Sequence, residues 1–162
     1  MVPAETTVII VENEMVGAQA WAKRRNVALA WVPERLEVRA VFTQPETEEP
    51  FFLRGWFPDY RVLPPVWIFT DASWSAEPGP SFFPRPAQTP FGGSLFTTGN
   101  GPVICAPFNR LAYAEHRGPH GDWGGPIGWV TAGQAGQVKA HCIGDMLQVI
   151  LRDLLHTRGR MA

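Results

Sequence analysis

Cys105, one of only two cysteines in the chain, lies in "NGPVICAPFNRLAY", which runs from Asn100 to Tyr113. Gly101 and Pro102 break the backbone before it and Pro107 breaks it again after, so the thiol is expected on an extended loop. His120 and Asp122 follow in "GPHGDW". A thiol, an imidazole and a carboxylate are the types needed for a nucleophile, a proton acceptor and a group that orients the acceptor. Asn100 and Asn109 flank the cysteine, and each could either donate an amide hydrogen to a developing oxyanion or brace the loop. The plainer alternatives are a small buried hydrophobe at Cys105 and a polar turn at His-Gly-Asp before Trp123. Cys142 falls on the apolar side of the last helix and is expected in the core. The cysteine spacing fits no zinc or redox motif, so no metal or cofactor is expected.

At 162 residues the chain is expected to form a single domain over residues 1–162. A formal net charge of −1 gives no electrostatic reason for a nucleic-acid or membrane surface. No window reaches the roughly 18 apolar residues of a membrane span, and "MVPAETTVIIVENE" lacks the basic start of a secretory signal. A cytoplasmic, reduced protein is the expectation. Sixteen prolines and sixteen glycines favour sheet with long ordered loops over a helical bundle.

The elements that must position the thiol begin with a helix from about Glu5 to Arg25. Ile9, Val16 and Ala20 recur at helical intervals, and Lys23, Arg24 and Arg25 suit a helix C-terminus. "RLEVRAVFTQ" alternates, with Leu36, Val38, Ala40 and Phe42 on one face. "FFLRGWF" and "VWIFTD" follow across short turns, which predicts a three-strand antiparallel meander. Residues 73–93 carry five prolines and three glycines, and Trp74, Phe82, Phe83 and Phe91 are expected to pin this loop by packing. A final helix is predicted over Gln137 to His156. Its stripe is Ile143, Leu147, Ile150 and Leu154, with His141, Asp145, Gln148 and Arg152 opposite.

This order and several residues within it resemble the ubiquitin-conjugating enzyme family. "PFFLRGWFPDY" followed by "RVLPPVWIFTD" is similar to the family's second and third strands, with Pro58, Tyr60, Pro64 and Pro65 in the expected order. Ile104 and Cys105 match the family's Ile-Cys step. Trp123 and the last helix match the tryptophan and amphipathic helix that the family places after its cysteine. There are departures. The His-Pro-Asn that eukaryotic members carry before the cysteine is missing, because all four histidines come after Cys105. The connection from Pro65 to Cys105 is long, and the two helices that usually end the domain have no counterpart, so the chain is truncated relative to eukaryotic members. "ICAPFNRLAY" and "GPHGDW" look closer to bacterial conjugating enzymes encoded beside an activating enzyme and a ubiquitin-like protein. Some of those systems act in antiphage defence.

The resemblance implies an α/β (α+β) ubiquitin-conjugating-enzyme-like fold and a transferase. Such an enzyme accepts a ubiquitin-like protein from an activating enzyme as a thioester on Cys105 and passes it to an amine on a protein target. ATP would be used by the activating enzyme. His120 and Asp122 would serve the incoming amine, and Lys23, Arg24 and Arg25 could meet the activating enzyme. Two rivals stay open: a stand-alone cysteine hydrolase using Cys105, His120 and Asp122, and an inactive binding module on the same fold.

Overall fold

The computed structural model describes residues 1–74, 79–90, 93–98, 100–130 and 140–162. Helix α1, Ala4–Arg25, closes on Asn26 in the left-handed conformation that asparagine tolerates. Strands β1 (Ala28–Val32), β2 (Glu37–Thr43), β3 (Pro50–Trp56) and β4 (Val66–Thr70) form an antiparallel meander in sequence order. A short pair, β5 (Phe96–Thr97) and β6 (Val103–Ile104), precedes the cysteine, and α2 spans Ile143–Leu154. The molecule is thus mixed α/β, with a helix before and a helix after an antiparallel sheet.

The alternation read in β2 holds from Val38 onward, since Val38, Ala40 and Phe42 are all fully buried, whereas Leu36 stands before the strand in the left-handed conformation and is only partly buried. Their neighbours across the ladder, Leu53 and Phe51 on β3 and then Trp67 and Phe69 on β4, complete one apolar face. The Trp67 ring lies over Gly55, where any Cβ would sit 2.5 Å from it, so that position admits no side chain. The two helices share the core with this face. Trp21 of α1 donates to Gln148 of α2 at 2.8 Å, and Trp67 donates to the sulfur of Met146 at 3.4 Å.

Four expectations are corrected. The sheet has a fourth strand, β1, whose "ALAWV" is too short and too exposed on one side to stand out from the helix before it. The inward face of α1 is Thr7, Val11, Met15, Ala18, Trp21 and Ala22, whereas Ile9 and Val16 are 60% and 74% exposed. The run Val8–Val11 offers an apolar residue to every side, and the bulk of Met15 and Trp21 decides which side turns in. The last helix begins at Ile143, because the Ile143 amide donates to the Glu14 carboxylate at 2.9 Å instead of to a preceding turn. Ala140 to Cys142 are not helical, and residues 137–139 lie outside the described residues. Cys142 is the half-buried N-cap residue of α2, not a core residue.

The same Glu14 carboxylate accepts from the Tyr60 hydroxyl at 2.9 Å and from Arg61 at 2.6 Å, binding α1, the Pro-Pro turn and the start of α2 together. In the proline-rich loop, Phe83 is fully buried against Phe69, and Trp74 meets Phe52 edge-on. Phe82 packs partly buried against the core, while Phe91 lies outside the described residues. Among the described residues no helix is long and apolar enough to cross a membrane.

Candidate active site

Three tethers fix Cys105. Its own amide donates to the Leu95 carbonyl at 2.7 Å, and Leu95 in turn donates to the buried Asp153 carboxylate of α2 at 2.6 Å. On its far side the Ala106 amide closes a tight turn onto Ile104 at 3.0 Å, and Pro107 prevents the chain from continuing as strand. The Pro107 carbonyl then accepts from the Tyr113 hydroxyl at 2.8 Å. The thiol is left half-buried at the end of β6, outside any regular ladder.

Asn109 is fully buried and its carboxamide is fully used. Its oxygen accepts from Trp67 at 3.0 Å and from Leu111 at 3.4 Å. Its nitrogen donates to the carbonyls of Trp67 at 3.2 Å and Ile104 at 2.8 Å. With both amide hydrogens committed it has none for an oxyanion, so of its two readings the geometry gives the bracing one: Asn109 splices the cysteine loop to β4. Asn100 stands exposed in the turn before β6 and makes no hydrogen bond to Cys105. Arg110, buried beside Asn109, donates to the carbonyls of Pro64 at 3.0 Å and Pro58 at 2.5 Å, and its amide donates to Pro65 at 2.9 Å. The Pro-Pro turn and the cysteine loop are therefore one unit.

His120 is brought to the thiol. Its amide donates to the Ala112 carbonyl at 3.1 Å, which pairs it with Tyr113 in a single bridge, and its ring stacks on Trp123 at 3.6 Å and 3°. Gly118 lets this loop close down, because a Cβ there would run into the Ala112 carbonyl. Nε2 lies 2.6 Å from the Cys105 sulfur, and Nδ1 lies 3.3 Å from the Asp122 carboxylate. When Nε2 accepts the S–H, Nδ1 carries the ring proton, facing Asp122. The side chain of Asp122 is 76% exposed, so this last link is solvated and loose. Burial pushes the Cys105 thiol up to about 11, with the Asp122 charge adding to it. The thiol is thus protonated at neutral pH, with only a small thiolate fraction. Among the described residues no group of three or more His, Cys, Asp or Glu is placed to hold a metal.

Sequence reading placed Cys105, His120 and Asp122 in one series, and the fold brings all three together. It missed Asp153 and gave Arg110 no role. Asp153 had a signal: it continues the Met146–Val149 side of the α2 stripe, so a carboxylate there faces inward. The carbonyls that Arg110 reaches have no signature in sequence. Compared with protein-family models, with curated proteins and with solved structures, the chain matches none.

Proposed function

We propose that this protein is a ubiquitin-like-protein conjugating enzyme of the bacterial kind, a transferase that carries its substrate as a thioester on Cys105. The observation that carries the reading is a half-buried thiol, held on a braced loop after an antiparallel meander, with the His120 imidazole at 2.6 Å. Loading exchanges one thioester for another. The Cys105 sulfur attacks the carbonyl held by the activating enzyme's thiol, a new S–C bond replaces the old one, and the Cys105 proton leaves with the departing thiol. Discharge then needs a proton acceptor beside the carbonyl, and in this reading His120 is that acceptor. Such a carrier would work in the cytoplasm, alongside an activating enzyme, a ubiquitin-like protein and an acceptor protein.

Incubation with a cognate activating enzyme, its ubiquitin-like protein and ATP tests the reading. Wild type and Cys142→Ala form an adduct that reducing agent removes, and Cys105→Ala forms none. His120→Ala loads but discharges to free lysine about 10²- to 10⁴-fold more slowly. An adduct surviving Cys105→Ala overturns the assignment. The contact of His120 with Asp122 favours a second reading, a cysteine hydrolase. Cleavage of a model ester by the protein alone, lost in His120→Ala, would select it. Neither adduct nor cleavage would leave an inactive binding module.

A further inference from the structure

Beside the reactive pair a cavity of about 310 Å3 opens between the turn Asn100–Val103 and the loop His116–Pro119, with Leu111 also lining it. Both walls lead to the site, since Val103 stands just before Ile104 and Cys105, and Pro119 just before His120. Arg117 carries the one formal charge among the described residues that line the groove. Arg117 is exposed and enters no ion pair among the described residues, and His116 is beside it. Among the described residues no carboxylate lines the groove. The carboxylate of Glu115 lies against Gly125, and that of Asp122, which acts on Cys105, is also outside the lining. Close packing of Gly118 on Ala112 holds the Arg117 segment in place.

We propose that this groove seats the C-terminal tail of the acyl donor, and that Arg117 selects a tail with an acidic residue near the terminal acyl group over a basic one. The proposal rests on the reading of Cys105 as a thioester carrier. A groove at the small end of ligand-site sizes takes a few extended residues. A guanidinium on its rim pairs with a carboxylate in two-point geometry, whereas a basic side chain there meets like charge. The step is a thioester exchange: the Cys105 sulfur bonds the tail's carbonyl carbon as the bond from that carbon to the donor's sulfur breaks, and the Cys105 proton leaves with the departing thiol.

Two peptides differing only in a glutamate or an arginine before a terminal Gly-Gly, each activated as a small-molecule thioester, test this on the full chain. Mass spectrometry follows acylation of Cys105. The acidic peptide is expected to react roughly three- to fivefold faster at low salt, with the advantage fading at high salt. Arg117→Gln should abolish the preference and Arg117→Glu reverse it. Equal rates for the two peptides, or a preference unchanged in both variants, overturn the proposal alone. Failure of both peptides to acylate Cys105 overturns the carrier reading and this proposal with it.

Discussion

Along the β2–β3 and β3–β4 ladders backbone pairs with backbone: three strands exchange hydrogen bonds, and side chains contribute apolar surface such as Val38, Leu53 and Phe69. Between Leu95 and His120 strand pairing among the described residues is the two-residue β5–β6 pair and the single Tyr113–His120 bridge. Here buried polar side chains do what the ladder does in the sheet. Asn109 reaches both polar groups of Trp67, Arg110 reaches two proline carbonyls, and Asp153 takes the Leu95 amide. A regular strand would line its residues up at fixed intervals. A loop spliced by side chains can instead stop the chain at one residue, and that residue is Cys105. Order without periodicity holds the thiol fixed and still reachable, as the role proposed for Cys105 requires.

If that contrast is right, the most damaging single change in the cysteine region is polar. Asn109→Leu keeps volume and burial but leaves the Trp67 amide and carbonyl without partners and takes from the Ile104 carbonyl one of its two donors, the Ala106 amide remaining. At about 1–3 kcal/mol for each of these two buried groups left unpaired, the cost is about 2–6 kcal/mol. Leu53→Ala in the sheet costs about the same, 2–5 kcal/mol, by opening a cavity. Urea unfolding of the two variants measures both. A loss under about 1 kcal/mol for Asn109→Leu would show that the splice is incidental.

A smaller effect tests the thiol's surroundings. Raising the Cys105 pKa from 9.0 to about 11 lowers the thiolate fraction near neutral pH about 100-fold. The more basic thiolate is intrinsically about tenfold more nucleophilic, so the net expectation is alkylation about tenfold slower than a free thiol. The sign follows from the direction of the shift: a raised thiol gains reactivity as pH climbs toward 11 instead of levelling off near 9. Iodoacetamide rates at Cys105, read by mass spectrometry across that range, check it. A rate at neutral pH equal to or above that of a free thiol would mean that Cys105 is not shielded by its loop.

The same contrast explains how much could be read in advance. Period-2 alternation in "RLEVRAVFTQ" reports a face, so β2 and its inward residues were legible, and so were the strands around "FFLRGWF" and "VWIFTD". The 3.6 period of α2 fixed its stripe, but not its start, which Glu14 sets from 129 positions away. Helix α1 offered two stripes, and only packing chose between them. In the site, residue type revealed Cys105, His120 and Asp122, because their chemistry is unusual wherever they stand. Asn109 was visible only as one of two possible donors, since its role depends on where the Trp67 backbone lies. Long-range side-chain bonds to backbone leave no interval to count.

Asp153 provides the finest test of the splice. Its carboxylate accepts from the Leu95 amide, whose own carbonyl holds the Cys105 amide, so one side chain on α2 tethers the reactive loop. Burial raises its pKa above the usual carboxylate value, against the pull of the Leu95 bond and of the Arg152 and His156 charges. A carboxyl with a raised folded-state pKa binds its proton more tightly folded than unfolded. Its stabilising contribution is therefore complete below the unfolded pKa of about 4 and is lost as pH rises through the folded value. Asp153→Asn keeps an acceptor for Leu95 and has no proton to lose. The stability of wild type minus that of Asp153→Asn should accordingly fall as pH rises from the ordinary carboxylate range and then level off. At neutral pH the two should differ by no more than about 1 kcal/mol, because the ionised carboxylate trades desolvation against a charge-assisted bond. Asp153→Ala removes the acceptor altogether and should release the loop, bringing Cys105 alkylation toward the rate of a free thiol, while Asp153→Asn leaves it slow. A difference curve flat in pH, with Cys105 equally slow in Asp153→Ala, would mean that the β5–β6 pair and Asn109 hold the thiol without help from α2.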